Sequence, residues 1–300
     1  IDYAIKPDLV ATGSSVYTAG QSLNAGGSLY TSSGYVTTSG TSFSAPMVAG
    51  AAAVVKATRP GLYGEDYRSL IVNSARPLTT DGGALTDVMK SGAGALSVDA
   101  ALQNTLTARP TSLSFGLQDS TLDTWKQVIV KNISKETRSY TVEILSNNEV
   151  KPLVTDTALT LGPDEIAGPV LVWNGAYEPG NYQGFVVFRE TETGVETRVP
   201  YWMAVKTNTV SQIGIPVIPE TRSAGTTVSY YIRFHDVSGA VVEDVTPEVK
   251  VVSGSATIDG LQKSGIYPNL WWLRVTVGFE TSDIEISAGE IKRTLTVTPN

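Results

Sequence analysis

The chain has no cysteine, so disulfides, thiol chemistry and cysteine-ligated zinc are excluded. It has one histidine, His235. Any mechanism that needs a base near neutral pH must use that residue, an unusual carboxylate, or a group from outside the chain. Charge is also sparse, at 17% of residues with a net charge of −7, which argues against a nucleic-acid partner. No long apolar run is present. The stretch from Ala45 to Val55 is broken by Pro46 and Gly50 and falls well short of the ~20 residues that a bilayer requires, so no membrane span is expected. The first residues, IDYAIKPDLV, lack both a Met and the charged and apolar regions of a signal peptide, as a processed or truncated polypeptide would. Nothing in the composition calls for a cofactor.

What remains is 300 residues, 28 of them glycine, enough for two or three domains of roughly 100–150 residues. Residues 1–104 read as α/β material. A strand-like run from Asp2 to Val10 leads into a Gly/Ser/Thr/Tyr-rich stretch, Thr12 to Gly40, too long for an idle loop in a compact domain. Helices are expected from about Ser42 to Thr58, stopped by Pro60, from about Tyr63 to Ala75, and from Val98 to Leu102. Past Leu106 the texture becomes period-two alternation: Trp125–Asn132, Ser139–Ile144, Gly184–Arg189 and Glu196–Tyr201, with turns between. Residues 105–207 thus read as an antiparallel β-sandwich and 208–300 as a second one. The second has candidate strands at Thr226–Phe234, Glu248–Val252, Leu270–Val277, Asp283–Ser287 and Lys292–Val297, and turns at Asp236–Gly239 and Asp259–Gly260.

One run carries chemistry: Gly40-Thr-Ser-Phe-Ser-Ala-Pro-Met-Val-Ala49. Gly40 permits a tight turn, and Ser42 then sits where free N–H groups and the helix dipole favour developing negative charge. A hydroxyl there is placed to attack a carbonyl while its own N–H helps hold the oxyanion. Pro46 is expected in a first turn, where a missing N–H costs nothing. The small residues Ala45 and Ala49 to Ala53 make a helix that is apolar all round, suited to the middle of a core. A plainer reading stays open, in which Ser42 only caps that helix.

The run resembles the catalytic-serine signature of the subtilisin-like proteases, Gly-Thr-Ser-x-(Ser/Ala)-x-Pro followed by small residues. Chance would supply such a match in about one 300-residue chain in ten thousand. Lys6-Pro-Asp-Leu-Val-Ala-Thr-Gly13 is similar to the family's Lys-Pro-Asp strand, with Thr12 in place of the usual Pro. Gly92-Ala-Gly94 and Val98-Asp-Ala-Ala-Leu102 resemble the pattern that closes the catalytic domain. The resemblance covers residues 1–104 and implies the last third of a doubly wound α/β domain, with Ser42 as nucleophile and a protein or peptide as substrate. Secretion is implied as well.

The same resemblance implies an aspartate and then a histidine ahead of the serine, and an oxyanion-stabilising Asn between the histidine and the serine. Only Asp2 and Asp8 precede Ser42 among acids, neither in the family's aspartate motif, and no histidine does. Asn24 lies too near the serine for the oxyanion role. His235 follows it by some 190 positions, in a strand-like run, and reads as structural. The isolated chain is therefore expected to be inert, and the Ser42 helix to expose apolar surface. Three remedies are open: the rest of the catalytic domain bound non-covalently, a second copy of the chain, or a rearranged 1–104. Residues 105–207 resemble the fibronectin-type-III-like domains downstream in large subtilisin-like proteases, on Pro110–Gly116, Val130–Asn132, Gly180–Gly184 and Val199–Tyr201. Residues 208–300 resemble an immunoglobulin-like module. There, alternation places one of Trp271 and Trp272 inside and one outside. Asp236, Glu243 and Asp244 read as solvated turn acids rather than a metal site, and Asn132-Ile-Ser134 fits a glycosylation sequon. The alternative function is a non-enzymatic adhesion module of two sandwiches with a vestigial protease segment.

Overall fold

The computed structural model describes residues 3–219, 222–267 and 269–300, so Asp2, where the first strand-like run begins, lies outside the described residues. From the N-terminus, β1 (Val16–Ala19) and β2 (Tyr35–Thr38) precede the helices α1 (Thr41–Thr58), α2 (Gly64–Asn73), α3 (Val88–Ser91) and α4 (Val98–Gln103). Strands then follow almost without interruption: β3 (Leu106–Arg109), β4 (Leu113–Gln118), β5 (Thr121–Gln127), β6 (Ile129–Asn132), β7 (Arg138–Leu145) and β8 (Leu153–Val154). Next come β9 (Ala158–Leu161), β10 (Ile166–Ala167), β11 (Val170–Ala176), β12 (Gly180–Glu190) and β13 (Glu196–Val205). The last are β14 (Gln212–Gly214), β15 (Thr227–His235), β16 (Glu248–Ser253), β17 (Thr257–Lys263), β18 (Trp271–Thr276), β19 (Ser282–Ala288) and β20 (Ile291–Val297). The described chain is mostly β-sheet with few helices.

The chain divides into two compact units. The first runs to Gly116 and includes Asp123–Gly175 and Tyr182–Met203; the second takes Leu117–Leu122, Ala176–Asn181 and everything from Ala204.

Within the first unit a five-stranded sheet, β4-β13-β12-β7-β9, faces two shorter ones, β10-β6-β3 and β5-β11-β8. The shorter sheets continue one another. Their break at Val128, inside the single strand expected over Trp125–Asn132, has a local cause. Val128 donates its N–H to the Pro169 carbonyl at 3.0 Å, and Pro169 has no N–H to return. The inner faces close on Trp173, fully buried and edge-on to Phe115, Tyr182 and Tyr201. Burial of successive residues Phe185 to Phe188 on β12 and Val199 to Val205 on β13 means that both faces of the large sheet are covered. The second cover is the helical segment. Val55, Leu70 and Ala101 knit α1, α2 and α4 together, and each fully buried Val or Leu contributes about 1.5–3 kcal/mol.

Buried polar side chains lock the helices to the sheet. The Asn73 amide donates to the carbonyls of Thr111 (2.9 Å) and Arg198 (2.8 Å) and accepts from Ser69. Asn104 reaches Ser74, Leu106, Thr197 and Glu196. Asp66 accepts from Arg109 and Thr107. Arg198 donates to Ala75, and burial lowers its pKa against the opposing pull of Glu196.

The second unit is a sandwich of β14-β15-β18-β17 on β16-β19-β20, filled by Tyr230, Ile232, Phe234, Leu273, Val275 and Ile284 among others. Asp259–Gly260 is not the turn expected there. It lies inside β17, where pairing slips between Ile258↔Val275 and Gly260↔Arg274, so the extra residue is absorbed as a bulge. Trp271 packs on the core and Trp272 on the opposite face, edge-on to Tyr231 at 6.0 Å. Asp236 organises its turn from within. Its carboxylate accepts from Ser238, Ala240 and Thr207 N–H groups and from the Ser238 hydroxyl.

Candidate functional site

Gly40 closes the strand β2 and opens α1. Its φ of 163° is extended backbone, and its N–H donates to the Gly13 carbonyl at 2.7 Å. Gly13 is pressed against the first helical turn: a Cβ there would lie 2.1 Å from Ser44 Oγ and 2.8 Å from the Gly40 oxygen. Only glycine lets the end of the Lys-Pro-Asp segment pass this close. Ser15 N–H donates to Ser39 Oγ at 2.9 Å, and the β1–β2 ladder stands on this base. The long stretch Thr12–Gly40 is thus a short antiparallel ribbon that delivers the chain to α1.

Thr41 is the first helical residue and Ser42 the second, exposed, with its backbone N–H among those the helix leaves unpaired. Among the described residues no side chain hydrogen-bonds the Ser42 hydroxyl. The capping alternative does not hold: Gly40 is the N-cap, and no side-chain hydrogen bond caps α1. Pro46 is also placed differently from expectation. The helix begins at Thr41, so Pro46 sits in the second turn and withholds the N–H that would have paired with the Ser42 carbonyl. The backbone at Ser42 therefore has an unpaired group on either side of its Cα.

The acids and amides weighed as partners are engaged elsewhere. Asp8 pairs with Lys6 at 3.0 Å and Arg68 at 3.2 Å, while its carbonyl accepts from Ala93. Asn24 folds its own loop, accepting from Gly26 N–H. His235 ends β15 in the second unit, opposite Gln212, with Nδ1 3.0 Å from the Gly239 oxygen. Asn132, the sequon residue, is fully buried and donates to the carbonyls of Glu136, Leu161 and Gly162, so it is a structural amide.

The Lys-Pro-Asp and Gly-Ala-Gly segments meet. Val10 pairs in parallel with Ala95, Val10 N–H donating to Gly94 and Leu96 N–H to Val10. Beside this pair, α1 and α2 flank an open apolar groove of about 570 Å³, lined by Leu9, Val48, Ala52, Ile71 and Val72. Of the 18 residues in α1, only Ala51 and Val55 are buried, and Met47 and Val54 are exposed. A helix apolar enough for a core centre is covered on one side only. The polar lock built from Asn73, Asn104 and Asp66 was missed from sequence, because isolated polar residues in helices and linkers carry no pattern that announces burial.

Residues 1–105 match the family model described as the subtilase family. A curated relative, the minor extracellular protease Vpr of Bacillus subtilis (strain 168), is 27% identical over 243 residues, 79% of this chain. The chain spans 29% of that relative's length. Among solved structures, a Porphyromonas gingivalis W83 protein of unknown function is 16% identical, covering 66% of this chain and all of its own, at a TM-score of 0.30. The E. coli chaperone DraB is 9% identical, with 64% of this chain and 98% of its own covered, at the same TM-score. Scores this low relate neither to the overall fold. Among the described residues no helix is long and apolar enough to cross a membrane. The segment that carries Ser42 lies within the residues that match the subtilase family model.

Proposed function

We propose that this chain carries the nucleophile-bearing part of a secreted subtilisin-like serine endopeptidase, with Ser42 as the nucleophile. The observation that carries the reading is the exposed Ser42 on the second residue of α1, inside a complete Gly-Thr-Ser-x-Ser-x-Pro motif and a subtilase-family region. In the complete enzyme Ser42 Oγ attacks the peptide carbonyl, and its proton passes to a histidine that then protonates the departing amine. Water releases the acyl group from Ser42. The Ser42 N–H, unpaired in the first turn, is positioned to donate to the oxyanion.

The histidine and the aspartate that orients it come, on this reading, from polypeptide outside the 300 residues. The chain's sole histidine is held in a hairpin of the second unit by Gly239. The bare face of α1 and the groove beside it are surfaces for that polypeptide to cover. The two sandwiches then stand as fibronectin-type-III-like and immunoglobulin-like modules behind the catalytic segment.

Without a base the Ser42 hydroxyl is a weak nucleophile, and loss of triad members costs roughly 10⁴–10⁶ in rate. The purified 300-residue chain is expected to leave peptide substrates intact. A fluorophosphonate probe is expected to label the complete protein but not its Ser42→Ala variant. Labelling that survives Ser42→Ala, or robust hydrolysis by the 300-residue chain that Ser42→Ala abolishes, refutes the assignment of roles.

A further inference from the structure

Gly13 touches the start of α1 at two places, one on each side of Ser42. Its carbonyl accepts the Gly40 N–H at 2.7 Å, two residues before the serine. Its Cα lies against the first helical turn, where an added Cβ would meet Ser44 Oγ, two residues after the serine, and stand 2.8 Å from the Gly40 oxygen. That oxygen is already committed, since it accepts the Phe43 N–H at 3.0 Å. The φ of Gly13 lies outside the left-handed region, so conformation alone does not call for glycine there. The close approach does.

The segment that carries Gly13 is tied on both sides. Three residues earlier, Val10 N–H donates to the Gly94 carbonyl at 2.9 Å, and the Val10 carbonyl accepts from Leu96 N–H at 2.8 Å. Two residues later, Ser15 N–H donates to Ser39 Oγ at 2.9 Å, beside the pair Val16↔Thr38 that opens the β1–β2 ladder. Neither end is free to swing outward, so a Cβ at position 13 pushes on the helix start. The Ser44 hydroxyl can rotate clear of it. The Gly40 carbonyl is backbone and must retreat by roughly 0.6 Å to reach the 3.4 Å of ordinary contact.

We infer that Gly13 is a positioning residue for the chemistry proposed at Ser42, an inference that rests on that reading. Gly13 touches no substrate. By holding Gly40 and leaving room for Ser44, it sets where Ser42 Oγ and the Ser42 N–H stand. Both groups belong to the one residue between its two contacts. A shift of the helix start therefore moves nucleophile and oxyanion donor together, relative to a base supplied from elsewhere. Reacting groups need placement to within about 0.5 Å, and a misplacement of about 1 Å costs ~10²-fold, so a shift near half that size predicts a loss of about tenfold. The loss falls on the chemical step, because groups that only bind the peptide stay where they are.

The test compares Gly13→Ala with Gly20→Ala in the complete protein. Gly20 follows β1 at the other end of the same ribbon, where a Cβ would stand 2.6 Å from Thr31 Cγ2 and 3.0 Å from the Leu29 oxygen, a close contact that does not involve α1. Gly13→Ala is expected to slow fluorophosphonate labelling of Ser42 about tenfold, and to lower kcat on a peptide substrate by a similar factor with KM within twofold. Gly20→Ala is expected to leave labelling and kcat within twofold of the parent, whatever it costs in melting temperature. Gly13→Ala combined with Ser44→Ala lacks the hydroxyl contact and keeps the one with Gly40, so the same slowing relative to Ser44→Ala is expected in a better-tolerated variant. In the 300-residue chain, Gly13→Ala is expected to move the Ser42 and Phe43 amide resonances and Gly20→Ala to leave them in place. Labelling of both Gly13→Ala variants at the parent rate, equal slowing in Gly20→Ala, or unmoved Ser42 and Phe43 resonances each overturns the inference alone. A complete protein that is not labelled at Ser42 refutes the reading of Ser42 as nucleophile, and the inference falls with it.

Discussion

Asn104 offers the sharpest test of how the helical segment is held to the first sandwich. Its side chain is 2% exposed and uses its full hydrogen-bonding capacity. Oδ1 accepts from Leu106 N–H and the Thr197 hydroxyl, both at 3.0 Å, while Nδ2 donates to Ser74 Oγ at 2.9 Å and the Glu196 carbonyl at 3.4 Å. In Asn104→Ala the Thr197 hydroxyl has an alternative, since it also donates to the Leu106 carbonyl. The Leu106 N–H has none and is left buried without an acceptor. That single loss costs about 1–3 kcal/mol. With the vacated volume and the Glu196 carbonyl added, the total reaches roughly 2–4 kcal/mol, or about 10 °C in melting temperature at mid-range for a unit this size. Amide hydrogen exchange, which separates the two units, is the assay: protection in α2, β3 and β13 falls and the second unit is unchanged. Asn147→Ala is the control. Asn147 makes two bonds to Leu85 but is exposed, so about 0.5 kcal/mol is expected. An Asn104→Ala effect no larger than the Asn147→Ala effect refutes the reasoning.

Gly94→Ala places a Cβ 2.0 Å from the Arg76 carbonyl at a φ of +111°, and destabilisation above about 3 kcal/mol is expected by denaturant titration. Gly34→Ala, at φ +76° but in open space, costs only about 1–2 kcal/mol, so equal effects at the two sites exclude the steric argument. Burial pushes the Tyr201 phenol up to about 12, with the Ser146 hydroxyl opposing. A raised pKa means that this stabilisation is complete below the unfolded value near ~10 and is lost as pH rises through the folded one, up to about 3 kcal/mol. Tyr201→Phe therefore shows a shallower loss of stability over that alkaline range than the parent chain. Asp236→Ala removes three bonds within its turn and one from Thr207 N–H, and lowers the stability of the second unit by about 1–3 kcal/mol, read as lost exchange protection at β14 and β15.

Local chemistry made much of this fold readable in advance. Pro60 stops α1 because a helix cannot continue through it. Asp236–Gly239 forms its turn because Gly239 adopts φ +84° and Asp236 caps the N–H groups behind it. Alternation sorted Trp271 from Trp272. Reading failed where the deciding partner is far along the chain. Asp259-Gly260 carries a turn signal, yet pairing with β18 keeps it in a strand as a bulge. Val128 alternates like its neighbours, and only Pro169 opposite explains the gap in the sheet. The short strands β8 to β11 went unseen because two to seven residues of modest alternation do not rise above loop texture.

The candidate site divides along the same line. Ser42, Gly40 and Pro46 are a contiguous signal set by one helix start, and Gly13 joins it through a single backbone contact. A triad base is a non-local feature, defined by where another part of a fold comes to rest. Composition fixes that the chain's only candidate is His235, and its bond to Gly239 gives it a local occupation. The helix behind Ser42 argues from packing toward the same end. The apolar residues of α1 gain nothing from facing water, and only two of its eighteen residues are buried. On the proposed reading one additional piece of polypeptide satisfies both deficits, covering α1 and delivering the histidine. The two deficits must then be relieved together. A complete protein in which Met47 and Val54 stay accessible to labelling while Ser42 reacts with fluorophosphonate would separate them, and would show that the bare helix has another purpose.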